Sequence, residues 1–181
     1  MDDAEVRAVL DFWLDEVGPS RWWTRSEAID AAIAERFAGL WERERHRPAA
    51  DFLGSASSAF AAVLLFDQYS RNLFRADARA FAVDELARAI ARGMVARGFD
   101  RTIDEAARIF VYMPFMHSEA LADQLWSLAF FEALGNAASL DYARRHHDVI
   151  ARFGRFPHRN RALGRADRPG EAEAIAEGGQ W

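Results

Sequence analysis

Apolar residues recur along this chain at intervals of three and four, and no long stretch alternates as a half-buried strand would. Val6, Val9, Leu10, Trp13, Leu14 and Val17 form one helical stripe, closed by Gly18-Pro19, which cannot comfortably continue it. Ser26 is placed to cap a second helix that carries Ile29, Ile33, Phe37, Leu40 and Trp41 and ends before Pro48. A third helix is predicted from Phe60 to about Asn72; between Ala59 and Phe66 it is apolar on every side, the pattern of an element buried mid-domain. Asp77 can cap a fourth helix running to Arg97, with Gly98 where a left-handed terminal residue is wanted. Thr102-Ile-Asp-Glu105 has capping-box spacing and opens a fifth, which Pro114 breaks or kinks. The stripe Leu121, Leu125, Leu128 predicts a sixth helix to Gly135. Ser139 can cap a seventh, with Tyr142, His146, Val149, Ile150 and Phe153 on its apolar side before Gly154.

About seven helices with short linkers predict an all-α fold: one domain over residues 1–181, with antiparallel helical hairpins stacked in a TPR-like array. Internal repetition is faint. Asp67-Gln68 returns as Asp123-Gln124 and Arg71-Asn72 as Arg159-Asn160, without the regular period of roughly 34 residues that TPR repeats show. From about residue 166 to 181 the chain turns small and polar, which predicts a loose C-terminal tail ending in Gly178-Gly179-Gln180-Trp181.

Composition narrows the chemistry. With 181 residues, 51% of them hydrophobic, folding can remove roughly 70% of the unfolded chain's surface from water, so no disulfide or structural metal is required. There is no cysteine and no lysine; all 23 basic side chains other than histidine are arginine. Thiol nucleophiles, Cys-ligated metal, Schiff bases and a P-loop lysine are therefore excluded. A net charge of -5 argues against a surface built for nucleic acid or anionic lipid. The opening Met-Asp-Asp-Ala-Glu is acidic where a secretory signal is basic, and the apolar run Ala59–Phe66 is far short of the roughly 20 residues that span a bilayer. The expectation is a cytoplasmic protein without a membrane partner.

Three polar clusters sit among residues that should be buried. In Asp67-Gln-Tyr-Ser-Arg71-Asn72, Asp67 and Arg71 are four apart on the helical face of Phe60 and Leu64, as an internal ion pair or an anion site would be. In Pro114-Phe-Met-His117-Ser118-Glu119, followed by Asp123-Gln124, two carboxylates share a helix face and His117 could move a proton near neutral pH. In Arg152-Phe-Gly-Arg155-Phe-Pro-His158-Arg159-Asn160-Arg161, with Arg165 after it, five arginines and a histidine occur without an acid; such forks recognise phosphate or carboxylate, or pair with the acids of the other two clusters. Metal is expected to be absent, because residues 117 and 119 of one regular helix point about 200° apart. The order His117, His147-Asp148, Asp167 resembles that of helical metal phosphohydrolases, but His147 and Asp148 fall off the apolar stripe of His146. No G-x-G-x-x-G, G-x-S-x-G or H-E-x-x-H is present.

Taken together, Val9-Leu-Asp-Phe-Trp13, Phe66-Asp-Gln-Tyr-Ser-Arg-Asn-Leu-Phe-Arg75, Pro114-Phe-Met-His-Ser-Glu119, Arg152-Phe-Gly-Arg-Phe-Pro-His-Arg-Asn160 and Leu163-Gly-Arg165 resemble a bacterial family known as domain of unknown function 924. The resemblance covers Val9 to about Arg165 and implies an all-helical, TPR-like fold with no established activity. The residues themselves predict a binding protein in which Asp67, Arg71, Asn72, His117, Glu119, Asp123, Arg155, His158, Arg159 and Asn160 converge on a small anionic ligand or an acidic peptide, without a cofactor. Two alternatives stand beside it. One is a hydrolase using His117, His158 or Glu119 as acid–base with arginines on an anionic substrate; the other is a structural adapter whose charges form a buried ion-pair network.

Overall fold

A computed structural model describes residues 1–177, and among them it is helical throughout, with no strand. Gly178-Gly179-Gln180-Trp181, the end of the expected tail, lies outside the described residues. Among the described residues no helix is long and apolar enough to cross a membrane. The chain divides into two compact units, residues 1–75 with 79–114, and residues 76–78 with 115–181.

The first unit is built on an aromatic and aliphatic core. Helix α1 (Asp3–Asp11) is capped by a box formed by Asp2 and Glu5 and continues with π geometry over Phe12–Val17. Ser26 caps α2 (Glu27–Glu44) by accepting from the Ile29 N–H, as its position predicts. Helix α3 (Ala56–Val63) starts earlier than the periodicity suggests because Ser55 caps it. Its continuation changes to π geometry over Leu64–Tyr69 before the single turn α4 (Ser70–Leu73). Ala59 to Phe66 are buried throughout, as an all-apolar run requires. Tyr69 packs between Phe12, Trp13 and Phe37 and donates to the Val9 carbonyl at 2.8 Å.

The fourth predicted helix forms later than Asp77. A 3-10 turn occupies Ala78–Phe81, and α5 (Asp84–Ala96) follows, ending near Gly98, which is left-handed at φ 69°. No helix begins at Thr102. The Thr102 hydroxyl donates to the Phe99 carbonyl and Asp104 folds back on the Ala106 N–H, local bonds that compete with helix formation, so α6 (Ile109–Met116) begins only at Ile109. Pro114 sits inside α6 rather than ending it; the break comes at His117.

In the second unit, α7 (Leu121–Leu134) and α8 (Ala137–Phe153) pack as a helical hairpin around left-handed Gly135, φ 72°. The cap of α8 is Asn136, whose side chain accepts from the Ser139 N–H; Ser139 is the residue capped, not the cap. The predicted stripe of α7 is reversed. Leu121 and Leu125 are 48% and 55% exposed, while Asp123, Gln124, Ser127 and Phe131 are buried. On α8, His146, Val149 and Ile150 are buried as expected but Tyr142 faces solvent. Beyond Arg165, in the stretch for which a loose tail is expected, the short helix α9 (Glu171–Ala176) forms with Glu171 fully buried.

Candidate functional site

Of the residues singled out from sequence, Asp67, Arg71 and Asn72 belong to the first unit and His117, Glu119, Asp123, Arg155, His158, Arg159 and Asn160 to the second. In the first unit Asp67 and Arg71 do meet. Arg71 Nη1 lies 3.2 Å from the buried Asp67 carboxylate, donates to the Asp67 carbonyl at 2.8 Å, and with Nη2 grips both oxygens of Asp84 at 3.0 and 3.1 Å. Asp84, at the start of α5, is a partner that sequence reasoning missed, because only the packing of α5 near the π segment brings it there. Asn72 is likewise engaged, donating to Asp30 of α2 at 2.8 Å beside Arg75.

In the second unit the α6–α7 connection carries the chemistry. His117, Ser118 and Glu119 lie outside any helix, so the expectation that Glu119 and Asp123 share one helix face fails. Asp123, inside the first turn of α7, accepts from the Ser118 hydroxyl at 2.7 Å, and Gln124 donates to the carbonyls of Met116 and Ser118 at 2.7 and 2.6 Å. These bonds fix the loop from below. They also fix the Gln124 amide, since its nitrogen must face two carbonyls; Gln124 Oε1 then points the other way, buried and without a hydrogen-bond partner, as is Ser127 Oγ one turn along the same helix.

Glu119 instead reaches the third cluster. It accepts the Phe156 N–H at 2.8 Å and a two-pronged bond from Arg165 at 2.7 and 2.9 Å. Half-burial opposes its ionisation, but these donors outweigh it and hold the carboxyl below the ordinary range. Arg155 turns to an acid the sequence did not nominate. Its guanidinium clamps Glu171 at 2.8 and 2.7 Å, and Asn160 and the Arg168 N–H complete the shell. The Arg155 bonds, working against burial and aided by Arg168 and Asn160, pull Glu171 down to about 2. Arg155 thus pairs with the chain's own C-terminal segment and not with the acids of the first two clusters, as the sequence had allowed.

A separate group gathers around Phe156. The His146 ring lies 5.5 Å from it, His158 5.6 Å, and the Arg159 guanidinium 4.5 Å over its face. His117 stands 6.2 Å from His146, and its carbonyl accepts from Arg159 at 3.0 Å. Burial, and then the neighbouring His117, Arg159 and His158, push His146 down to about 3, so it is neutral at physiological pH. Its Nδ1 is within 2.8 Å of the Tyr142 carbonyl and therefore carries the proton. Sequence reasoning placed His146 on the apolar stripe and gave it no role; its burial beside His117 is a tertiary fact. His147 and Asp148 contact each other at 3.1 Å, with Asp148 79% exposed. Among the described residues no three His, Asp or Glu side chains gather as a metal ion would need.

Fold and site together define an all-helical protein whose arginine-rich segment is tied down by its own carboxylates and whose second unit keeps a buried histidine–arginine cluster. Residues 9–179 match the model of a family described as bacterial protein of unknown function (DUF924), and the chain belongs to that family. A solved protein of unknown function, ATU0120 from Agrobacterium tumefaciens, is 36% identical with a TM-score of 0.90, over 97% of this chain and 98% of that one. No curated protein matches the chain at a significant level.

Proposed function

We propose that the protein binds a small anionic ligand in its second unit, at His117, His146, His158 and Arg159 around Phe156. The observation that carries this reading is the gathering of two imidazoles, His146 and His158, and the Arg159 guanidinium around the Phe156 ring, with a third imidazole, His117, 6.2 Å from His146. His117, Arg159 and His158 each oppose a positive charge on His146, and a carboxylate or phosphate arriving among them would lift that penalty. Ser127 Oγ, a hydroxyl buried without a partner in the same unit, adds polar capacity that the protein does not itself use. Arg71 and Arg155 leave the ligand set, and Arg165 does not enter it. Their forks are occupied by Asp84, Glu171 and Glu119, which supports a structural role for this part of the charged motifs, as in the adapter alternative. An acidic peptide would be the larger version of the same ligand.

Titration calorimetry with inorganic phosphate and with succinate as probes tests the reading, at pH ~6 and ~7.5, where imidazoles change their charge. Binding should tighten several-fold at the lower pH, take up protons, and be lost in Arg159→Gln and His117→Asn proteins that retain their circular dichroism. Absence of heat with both probes at millimolar concentration and both pH values would retire the proposal in favour of the adapter. Turnover of phosphate or carboxylate esters that depends on His117 or His158 would instead promote the hydrolase.

A further inference from the structure

The groups around Phe156 are shut away from solvent. Phe156 is fully buried, His146 and Arg159 are 4% and 6% exposed, and Nδ1 of His158 is buried as well, so a ligand reaches them only when some part of the chain moves aside. Helix α9 is placed to do so. It packs against the 3-10 turn Pro157–Arg159, which carries His158 and Arg159, and it belongs to the same unit. Of residues 166–177 only Glu171 and Ala174 are buried, and the one large aliphatic side chain, Ile175, is 37% exposed. Hydrophobic burial therefore contributes little to holding this segment down. Its hydrogen bonds to the body of the unit run mainly through two side chains. Arg155 donates twice to Glu171, at 2.8 and 2.7 Å, and to the Ala166 carbonyl at 2.7 Å; Asn160 donates to Glu171 at 2.9 Å and to Asp167 at 2.8 Å. Beside these stands one long bond, from Arg168 to the Phe153 carbonyl at 3.3 Å.

We infer that residues 166–177 are a lid over this site, latched by the Glu171 carboxylate in the grip of Arg155 and Asn160. What the lid admits rests on the anion-binding reading above; the lid itself does not. Its latch is a charge on an otherwise weakly anchored segment, so losing one carboxylate frees the whole of α9 at once. The loop beneath keeps its shape without that carboxylate. Arg165 is held by Glu119, donates to the Phe156 carbonyl at 3.0 Å and fixes Asn160 Oδ1 at 3.1 Å, while Glu119 takes the Phe156 N–H. None of these bonds involves Glu171, so opening uncovers a formed site and not a collapsed one. A ligand that enters only while the lid is open binds with its intrinsic affinity reduced by the open fraction, which makes the latch a control on affinity.

Carbethoxylation of histidines by diethyl pyrocarbonate, located by mass spectrometry on the full chain, reads the lid without any ligand. In the wild type His158 should label slowly beside His46, which is exposed in the first unit. Glu171→Gln removes the charge on which the latch closes. It should speed His158 by about tenfold or more, the opening gained when a charge-assisted hydrogen bond is lost, with His46 unchanged and amide exchange of α7 and α8 as in the wild type. Arg155→Lys keeps a cation facing Glu171 but removes the fork, and should fall between the two. Calorimetry with inorganic phosphate then reads the gate: Glu171→Gln should bind several-fold tighter than the wild type. His158 labelling indifferent to both substitutions would overturn the lid. So would labelling that rises only together with exchange throughout α7 and α8, because Glu171 would then hold the fold of the unit and gate nothing. Equal phosphate affinity in wild type and Glu171→Gln would overturn the control of affinity. If His158 opens in Glu171→Gln and neither protein binds phosphate, the anion reading falls and the lid stands.

Discussion

Helices α3 and α7 are both rich in alanine and large apolar side chains, yet they use them in opposite ways. Residues of α3 and its π continuation are buried on every side, from Ala59 through Tyr69. In α7 the buried positions are Asp123, Gln124, Ser127 and Phe131, and the exposed ones include Leu121, Leu125 and Trp126. The difference lies in what each helix must satisfy. From Ala59 to Phe66 there is no polar side chain to satisfy, so apolar burial decides how this stretch sits. The loop Met116–Ser118 before α7 offers two buried carbonyls and a hydroxyl, and leaving those unpaired would cost about 1–3 kcal/mol apiece. Turning Gln124 and Asp123 inward satisfies them, at the expense of leaving two leucines and a tryptophan in water. Hydrophobic content therefore fixes that a helix will pack, while unsatisfied polar groups can select the face.

The contrast is broken most directly by equivalent truncations. Leu64→Ala, at a fully buried position next to α3, should lower stability by about 2–5 kcal/mol, whereas Leu125→Ala on α7 should stay within about 0.5 kcal/mol at dilute protein. Urea midpoints of the two variants measure both. Equal losses would mean that the face of α7 is covered in the monomer.

Acid should distinguish the interiors next. His146 has a folded pKa of about 3 against an ordinary 6.5, so the unfolded chain binds the extra proton between those values and folding weakens as pH falls through that window. Between pH ~7.5 and ~5 this one residue should cost about 2 kcal/mol, and His146→Gln should flatten that part of the profile. Lower still, Glu171 contributes stability that is complete above its ordinary pKa and lost as pH falls from 4.5 toward about 2. Hydrogen exchange around α8 and α9 should therefore quicken on acidification before exchange within α3 does. Protection that disappears in α3 first would remove the distinction.

The finest probe is Ser127. Its hydroxyl is buried without a partner, so Ser127→Ala should be neutral or stabilise by up to about 1 kcal/mol in thermal unfolding. A loss exceeding 1 kcal/mol would show that the hydroxyl is satisfied in solution, as by a buried water, and would withdraw Ser127 from the polar capacity credited to the second unit.

Periodicity, caps and breakers were enough to read the all-helical class, the Ser26 cap and the glycine terminations at Gly98 and Gly154, because these depend on contacts within a few residues of chain. The contact of Asp67 with Arg71 was legible in their four-residue spacing for the same reason. What the sequence by itself could not determine are the choices between distant partners: Asp84 for Arg71, Glu171 for Arg155, Arg165 for Glu119, and His146 beside His117. Each is a competition among several acids or bases for one fork, settled by where packed helices bring backbone together. The inverted α7 belongs with them, since an amphipathic pattern shows that a helix has two faces, and only the polar groups waiting in the tertiary structure decide which of the two is turned inward.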